Sequence, residues 1–258
     1  MIITSGANAT IKQLIKWRDK PKERRRDNIF IAEGIKMYAE APKALIQAVY
    51  ISESFAGECD DTIRNDADIV ADDLFLKISD TETPQGILTL LRRPEHSDDI
   101  FSDKNGLYIA LENMGDPGNL GTIIRTAEAA GVKGVLVSND SVDIYNPKAV
   151  RATMGAIYRV PFLYKENIRG SLQEIKNAGI KLYAAHLKGK SYYDEMNYTS
   201  GCCFIIGNES RGITEETASL ADEYIRLPME GSVESLNASM AAGILMYEAY
   251  RQRRKAKA

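Results

Sequence analysis

An α/β protein of two parts, the larger built on a mainly parallel sheet, is the fold class predicted by the order of apolar segments in this chain. Three observations carry it. Short continuous apolar runs of strand length recur through residues 107–206, helix-periodic segments separate them, and a polar, proline-bearing stretch at residues 92–99 divides them from the N-terminal part. Strands that are apolar throughout must be covered on both faces, which a parallel sheet with crossover helices provides.

The elements follow in order. Residues 9–18 form a plausible first helix, and 30–34 lead into a second helix that runs to about residue 40. Apolar runs at 48–51 and 87–91 complete a small α/β unit. The linker signal places domain boundaries at 1–95, 96–105 and 106–258. Beyond it, 107–111 is a strand, and Leu120, Ile123, Ile124, Ala127 and Gly131 mark one face of a helix. The alternation continues with a strand at 135–137, a helix at 147–154, a segment near 160–163, a helix at 172–177 and a strand at 181–185. A buried strand at 204–206, a helix near 215–220 and a long helix from 235 to about 251 close the chain. On that last helix Leu236, Met240, Ile244 and Tyr247 form one apolar side, and Ala238, Ala241, Ala242, Leu245 and Ala249 the other. A helix apolar all round is buried on all sides, in a monomer core or between two subunits.

Composition excludes several classes of function. With 44% hydrophobic and 27% charged residues among 258, the chain reads as an ordinary soluble globular protein. It has no apolar run of membrane-spanning length and no signal-peptide core at its start. Three cysteines give no disulfide framework, and adjacent Cys202 and Cys203 read as buried thiols of a reducing cytoplasm. With two histidines, a metal centre is poorly supported. The net charge of −3 does not advertise a nucleic-acid binder, so any such surface must be local. Lys12, Lys16, Arg18, Lys20, Lys22, Arg24, Arg25, Arg26 and Lys36 supply one at the N-terminus, although a charge run alone also fits a solvated helix face.

Three polar segments stand at strand ends or helix starts. The first, Asn113-Met-Gly-Asp-Pro-Gly-Asn-Leu-Gly-Thr-Ile-Ile-Arg-Thr-Ala127, offers Asn119 near a helix start, where capping explains it as well as chemistry does. Arg125 falls opposite the apolar stripe, where its planar fork suits phosphate or ribose if it faces a cleft. The second, Gly207-Asn-Glu-Ser-Arg-Gly212, is a glycine turn after a strand. It is not the GxGxxG of dinucleotide sites, so a pyrophosphate is not the expected ligand. The third, Leu227-Pro-Met-Glu-Gly-Ser-Val-Glu-Ser-Leu-Asn-Ala-Ser-Met240, is a loop of small and polar residues feeding the last helix.

In this order the three segments resemble the motifs of the SpoU (TrmH-type) RNA ribose methyltransferases of the SPOUT superfamily. Phe30-Ile-Ala-Glu-Gly34, Thr83-Pro-Gln-Gly-Ile87 and Asn146-Pro-Lys-Ala-Val-Arg151 extend the resemblance over nearly the whole chain. It implies an N-terminal α/β RNA-binding domain similar to small ribosomal proteins, and a C-terminal SPOUT domain with a deep trefoil knot. It implies S-adenosylmethionine held by Ala184, Ala185, Ile206, Gly207, Leu227, Met229, Ser235, Leu236, Asn237 and Ala238. It further implies methyl transfer to a ribose 2′-hydroxyl of RNA, with Asn119, Arg125, Glu209, Ser235 and Asn237 as the active constellation. Arginine as the general base sits uneasily with a pKa above about 12, so electrostatic lowering of the hydroxyl pKa is the milder reading. Glu209 is expected to fix Arg125 or the loop, not to hold a metal. RNA contacts are expected from Lys12, Lys16, Arg24, Arg25, Arg26, Lys148 and Arg151, and a homodimer through the C-terminal domain. Ribosomal RNA ranks above tRNA as the substrate, and a non-catalytic RNA-binding or ribosome-assembly factor is the alternative of another class.

Overall fold

The computed structural model describes residues 2–256 and divides into two compact units. The first holds the chain up to Glu95 together with Asp143–Tyr158; the second holds His96–Val142 and the chain from Arg159 onward.

The first unit opens with β1 (Ile2–Ile3), α1 (Ala9–Asp19), α2 (Pro21–Asp27), β2 (Ile29–Glu33) and α3 (Ile35–Ala39). It continues with β3 (Ile46–Ser52), α4 (Glu53–Glu58), α5 (Asp61–Asp66), β4 (Asp68–Val70), α6 (Asp72–Ile78) and β5 (Ile87–Arg92). The Asn8 side chain caps α1 by accepting from the Thr10 N–H, and Asn28, with φ of 54°, ends α2 in the left-handed conformation. The five strands lie in the order β1-β4-β3-β5-β2, with β5 antiparallel to both its neighbours. Ile11 and Leu14 of α1 pack with Leu74, Phe75 and Ile78 of α6 over Ile31, Tyr50 and Leu88 of the sheet.

The second unit contains β6 (Leu107–Leu111), α7 (Pro117–Ala130) and β7 (Gly134–Ser138), after which α8 (Pro147–Thr153) belongs to the first unit. It resumes with β8 (Phe162–Lys165), α9 (Ile168–Asn177), β9 (Lys181–Ala185), β10 (Ser191–Tyr192), β11 (Cys202–Ile206), α10 (Glu215–Ala218), β12 (Glu223–Arg226) and α11 (Ala238–Ala256). Its seven strands run β10-β12-β9-β11-β6-β7-β8, each recorded pair parallel. The α/β class with a mostly parallel sheet is therefore as the apolar pattern predicts. β6, β7 and β11 are buried at every residue, which is why their sequences read as unbroken apolar runs. Burial pushes the Cys202 thiol up to about 11 and the Cys203 thiol higher still, so both stay protonated and inert.

Residues 143–158 fall in the span that the sequence reading assigns to the second domain, and they are fastened to the first unit by side chains. Asp143 accepts from the buried Arg24 at 2.9 Å, Phe30 stacks on Tyr145 at 4.9 Å, and the Tyr158 hydroxyl donates to Met37 O. Arg93 lies 4.2 Å over the Tyr145 ring, and Arg151 pairs with Asp80 at 2.7 Å. Arg24 is 1% exposed and also donates to the Trp17 and Arg18 carbonyls, so it belongs to the core, not to an RNA surface. Asp143→Ala would leave buried guanidinium without its counter-charge, at about 3 kcal/mol. Urea denaturation is expected to show that loss as a lower midpoint.

Candidate active site

β6 and β11 are neighbours at the middle of the parallel sheet. The chain leaves β6 toward β7 on one side and leaves β11 toward β12 on the other. Such a reversal opens a crevice beyond the carboxyl ends of the two strands, where α/β proteins place ligands. The loops that meet there are 112–116 and 207–212, which carry the first and second sequence motifs.

Gly207 makes the second loop possible. A Cβ on it would lie 2.2 Å from the Gly212 carbonyl carbon, because Asn208 and Gly212 exchange backbone hydrogen bonds directly behind it. The turn projects Glu209 toward the first loop. Its carboxylate accepts from the N–H groups of Gly115 (3.3 Å) and Asp116 (3.4 Å) and from Asn119 Nδ2 (2.9 Å). Asn208 Nδ2 reinforces the junction by donating to Asn113 O at 2.7 Å.

Asn119 then reaches the third motif, for its Oδ1 accepts from Asn237 Nδ2 at 2.9 Å. Asn237 Oδ1 in turn accepts from Ser239 N (2.9 Å) and Ser239 Oγ (2.6 Å), capping α11. The carboxylate sets the polarity of this chain. Glu209 can only accept, so Asn119 must present its NH₂ to it and its oxygen to Asn237, which leaves the Asn237 oxygen for the helix. One hydrogen-bond chain thus ties three motifs separated by up to 118 positions.

Burial pulls the Glu209 carboxyl upward, but its bonds from Asn119 and from loop backbone N–H groups outweigh it and hold the group below the usual carboxylate range. A depressed folded pKa contributes stability above the unfolded value of about 4.3, lost only as pH falls through the folded one. Glu209 is therefore ionised and does not titrate between about pH 5 and 8. A Glu209→Gln variant is expected to lower turnover by a constant factor across that window, leaving the shape of the pH–rate profile unchanged.

The other expected site residues separate into groups. Asn119 is not the cap of α7; Asp116 is, accepting from Asn119 N at 2.8 Å, and Pro117 at the first helical position is the sequence signal that marks it. Arg125 is exposed and, among the described residues, has neither an ion pair nor a hydrogen bond. Glu209 therefore fixes the loop and Asn119, not Arg125. Ser235 and Leu236 lie in an exposed stretch from Glu230 to Asn237, while Ala238 is buried at the start of α11.

Six of the expected cofactor residues lie at or just beyond the ends of three adjacent strands. β12, β9 and β11 are neighbours, with Ala185 paired to Ile225 and Ala184 to Ile205, so their carboxyl ends are level. Ala184, Ala185, Ile206 and Gly207 end two of them, and Leu227 and Met229 follow the third. The side chains there are small or apolar and carry no charge, so a ligand at these strand ends would be held mainly by backbone groups. That donor set fits a nucleoside carrying no phosphate.

In the first unit, Lys12, Lys16 and Arg25 are exposed and unpaired among the described residues, as are Lys20 and Lys22. Arg26 is exposed but pairs with Glu23 and Asp27, and Arg18 donates to the Lys77 and Ser79 carbonyls. Lys148 is exposed on α8. The described residues include no group of His, Cys, Asp and Glu that could hold a metal ion.

Known proteins place this geometry. Residues 106–247 match the model of the SpoU rRNA Methylase family, and residues 8–89 match that of an MRM3-like substrate binding domain. The chain is 31% identical over 247 residues to the 23S rRNA (guanosine(2553)-2′-O)-methyltransferase RlmP of Bacillus subtilis, covering 95% of this chain and 97% of that protein. An AdoMet-bound rRNA methyltransferase from Sinorhizobium meliloti is similar in structure, with a TM-score of 0.85, 29% identity and 97% of both chains covered. A TrmH/SpoU tRNA modifying enzyme of A. aeolicus matches with a TM-score of 0.54 and 29% identity, over 62% of this chain and 82% of that one. With more than half its length matched to that family model and a relative above 30% identity along nearly its whole length, the chain belongs to the SpoU rRNA methylase family.

Proposed function

We propose that this protein transfers the methyl group of S-adenosylmethionine to a ribose 2′-hydroxyl in ribosomal RNA. The observation that carries the reading is the Glu209–Asn119–Asn237 chain, which draws the three motifs into one site. When bound, the cofactor supplies an activated methyl on a sulfonium. The protein must orient the hydroxyl in line with it and favour loss of its proton. Asn119 and Asn237, fixed in orientation by Glu209, present amide groups whose positions are set before substrate arrives. Arg125 carries a free guanidinium suited to the target's phosphate and to the charge developing on the attacking oxygen. Ser235 orients the ribose from the loop before α11.

The substrate ranking rests on length. The rRNA methyltransferases above match this chain along almost all of it, the tRNA modifying enzyme over 62% of it. The first unit would supply backbone contacts. Lys12 and Lys16 stand one turn apart, about 6 Å, on one face of α1, with Lys20 at the cap between α1 and α2, Arg25 adding charge from α2 and Lys148 from α8.

The proposal includes a homodimer, a knotted C-terminal domain and a cytoplasmic setting. The dimer is supported by α11. Its inner side buries Ala242, Leu245, Met246 and Ala249, while Met240 (60%), Tyr247 (48%) and Tyr250 (39%) stay exposed. A groove of about 510 Å³ runs along that outer face. Such a contiguous apolar face fits a second copy of the same helix. Family membership supports the knot and, with the inert thiols, the setting; no helix among the described residues is long and apolar enough to cross a membrane.

Incubation with labelled S-adenosylmethionine and unmodified total RNA, separated by size, tests the reading. Label in large-subunit rRNA is expected. Label confined to tRNA would transfer the chemistry to another substrate, and cofactor binding without label in any RNA would favour a non-catalytic binding factor.

A further inference from the structure

The first-motif loop is held by side chains on both flanks, and only one flank belongs to the motifs. Four consecutive backbone N–H groups, those of Asn113, Met114, Gly115 and Asp116, each donate to a side chain from elsewhere in the second unit. Glu209 takes the last two. Ser138 Oγ takes the first at 2.8 Å, and Ser141 Oγ takes the second at 3.0 Å. The two hydroxyls lie 3.1 Å apart and bond to each other, and Val142 N closes the arrangement by donating to Met114 O at 2.8 Å. Ser138 is 4% exposed and Met114 fully buried, so water does not replace these bonds.

The loop needs this hold because it is strained. Asn113 has φ of 56°, a left-handed conformation that a non-glycine residue adopts at a cost and that clusters at functional sites. We infer that Ser138 and Ser141 are positioning residues for methyl transfer. Their paired hydroxyls keep Asn113 left-handed, and that conformation aims Gly115 and Asp116 at Glu209 and so sets Asn119. Neither serine lies in the three motifs. The inference rests on the proposed methyltransferase reading.

The test compares Ser141→Ala, Ser141→Thr and the double variant Ser138→Ala/Ser141→Ala with wild type on rRNA, each with S-adenosylmethionine affinity measured by calorimetry. A displaced loop is expected to lower kcat by about 10- to 100-fold in the alanine variants. Affinity for S-adenosylmethionine should hold within about twofold, because the strand ends proposed to bind it are elsewhere. Ser141→Thr, which keeps the hydroxyl, should restore most of kcat. Asn113→Gly, at ease in the left-handed region, should retain activity, while Asn113→Val should lose it as the serine variants do. Unchanged kcat in folded Ser141→Ala and in the double variant would overturn the inference while leaving the methyltransferase reading intact. If the double variant does not fold, Ser141→Ala together with the Asn113 pair decides. Absence of transfer by wild type itself would instead count against the methyltransferase reading.

Discussion

Arg125→Ala is expected to lower methyl transfer by about 10²- to 10³-fold, the scale seen when one preorganised group facing a developing negative charge is removed. Fold stability should change by no more than about 0.5 kcal/mol, since the side chain is exposed and bonded to nothing among the described residues. That combination separates it from the rest of the site, where removal of Asn119 or Glu209 also unties loops. Thr126 beside it faces Gly243 of α11, where an added Cβ would meet the Thr126 methyl at 3.7 Å. Arg125→Lys distinguishes two roles. If the planar fork grips a phosphate or ribose at two points, lysine should recover little; substantial recovered turnover would assign the residue a point-charge role instead.

Asn237→Asp should also be strongly deleterious, for a reason specific to the polarity of the network. Aspartate caps a helix as well as asparagine, so α11 keeps its first-turn bonds. Toward Asn119, however, a carboxylate can only accept. Asn119 would then face acceptors on both sides, Glu209 and Asp at 237, and neither orientation of its amide satisfies both. Turnover is expected to fall by about 10²-fold with a stability loss of about 1–2 kcal/mol. The second change Glu209→Gln should return part of it. A glutamine NH₂ can donate to the Asn119 oxygen, which turns the Asn119 NH₂ toward the new carboxylate and reverses the whole chain. Recovery in that double variant, read as kcat against each single variant, would be hard to explain by any purely steric account.

Much of this site can be read in the sequence because its chemistry lies in contiguous motifs. Asn119, Glu209 and Asn237 stand in three such segments, and the structure joins all three. The apolar runs that became β6, β7 and β11 are equally visible, since a strand buried on both faces has no polar positions. β1, β4, β10 and β12, of two to four residues, carry too little periodicity to be seen. The sequence leaves capping and chemistry equally open for Asn119, since Asp116 and Asn119 are both capping types; Pro117 at the first helical position decides for Asp116. Arg24 reads as part of the RNA-binding charge run in the sequence but is buried in the structure. Charge patterning cannot separate a buried arginine from its exposed neighbours when the partner, Asp143, is 119 positions away. The fastening of residues 143–158 to the first unit is invisible for the same cause, and it bears on truncation. Removing residues 1–95 would strip the cover from Ile144, Tyr145, Ala149 and Val150, all buried here.

These three motifs, on this reading of the site, make one ribose-methylating centre. The most direct test is alkaline hydrolysis of large-subunit rRNA after reaction with labelled S-adenosylmethionine, using wild type and Arg125→Ala side by side. A 2′-O-methyl group blocks cleavage of the adjoining phosphodiester, so label is expected in an alkali-resistant dinucleotide from wild type and almost none from the variant. Label released in mononucleotides would place the methyl on a base and rule out ribose methylation.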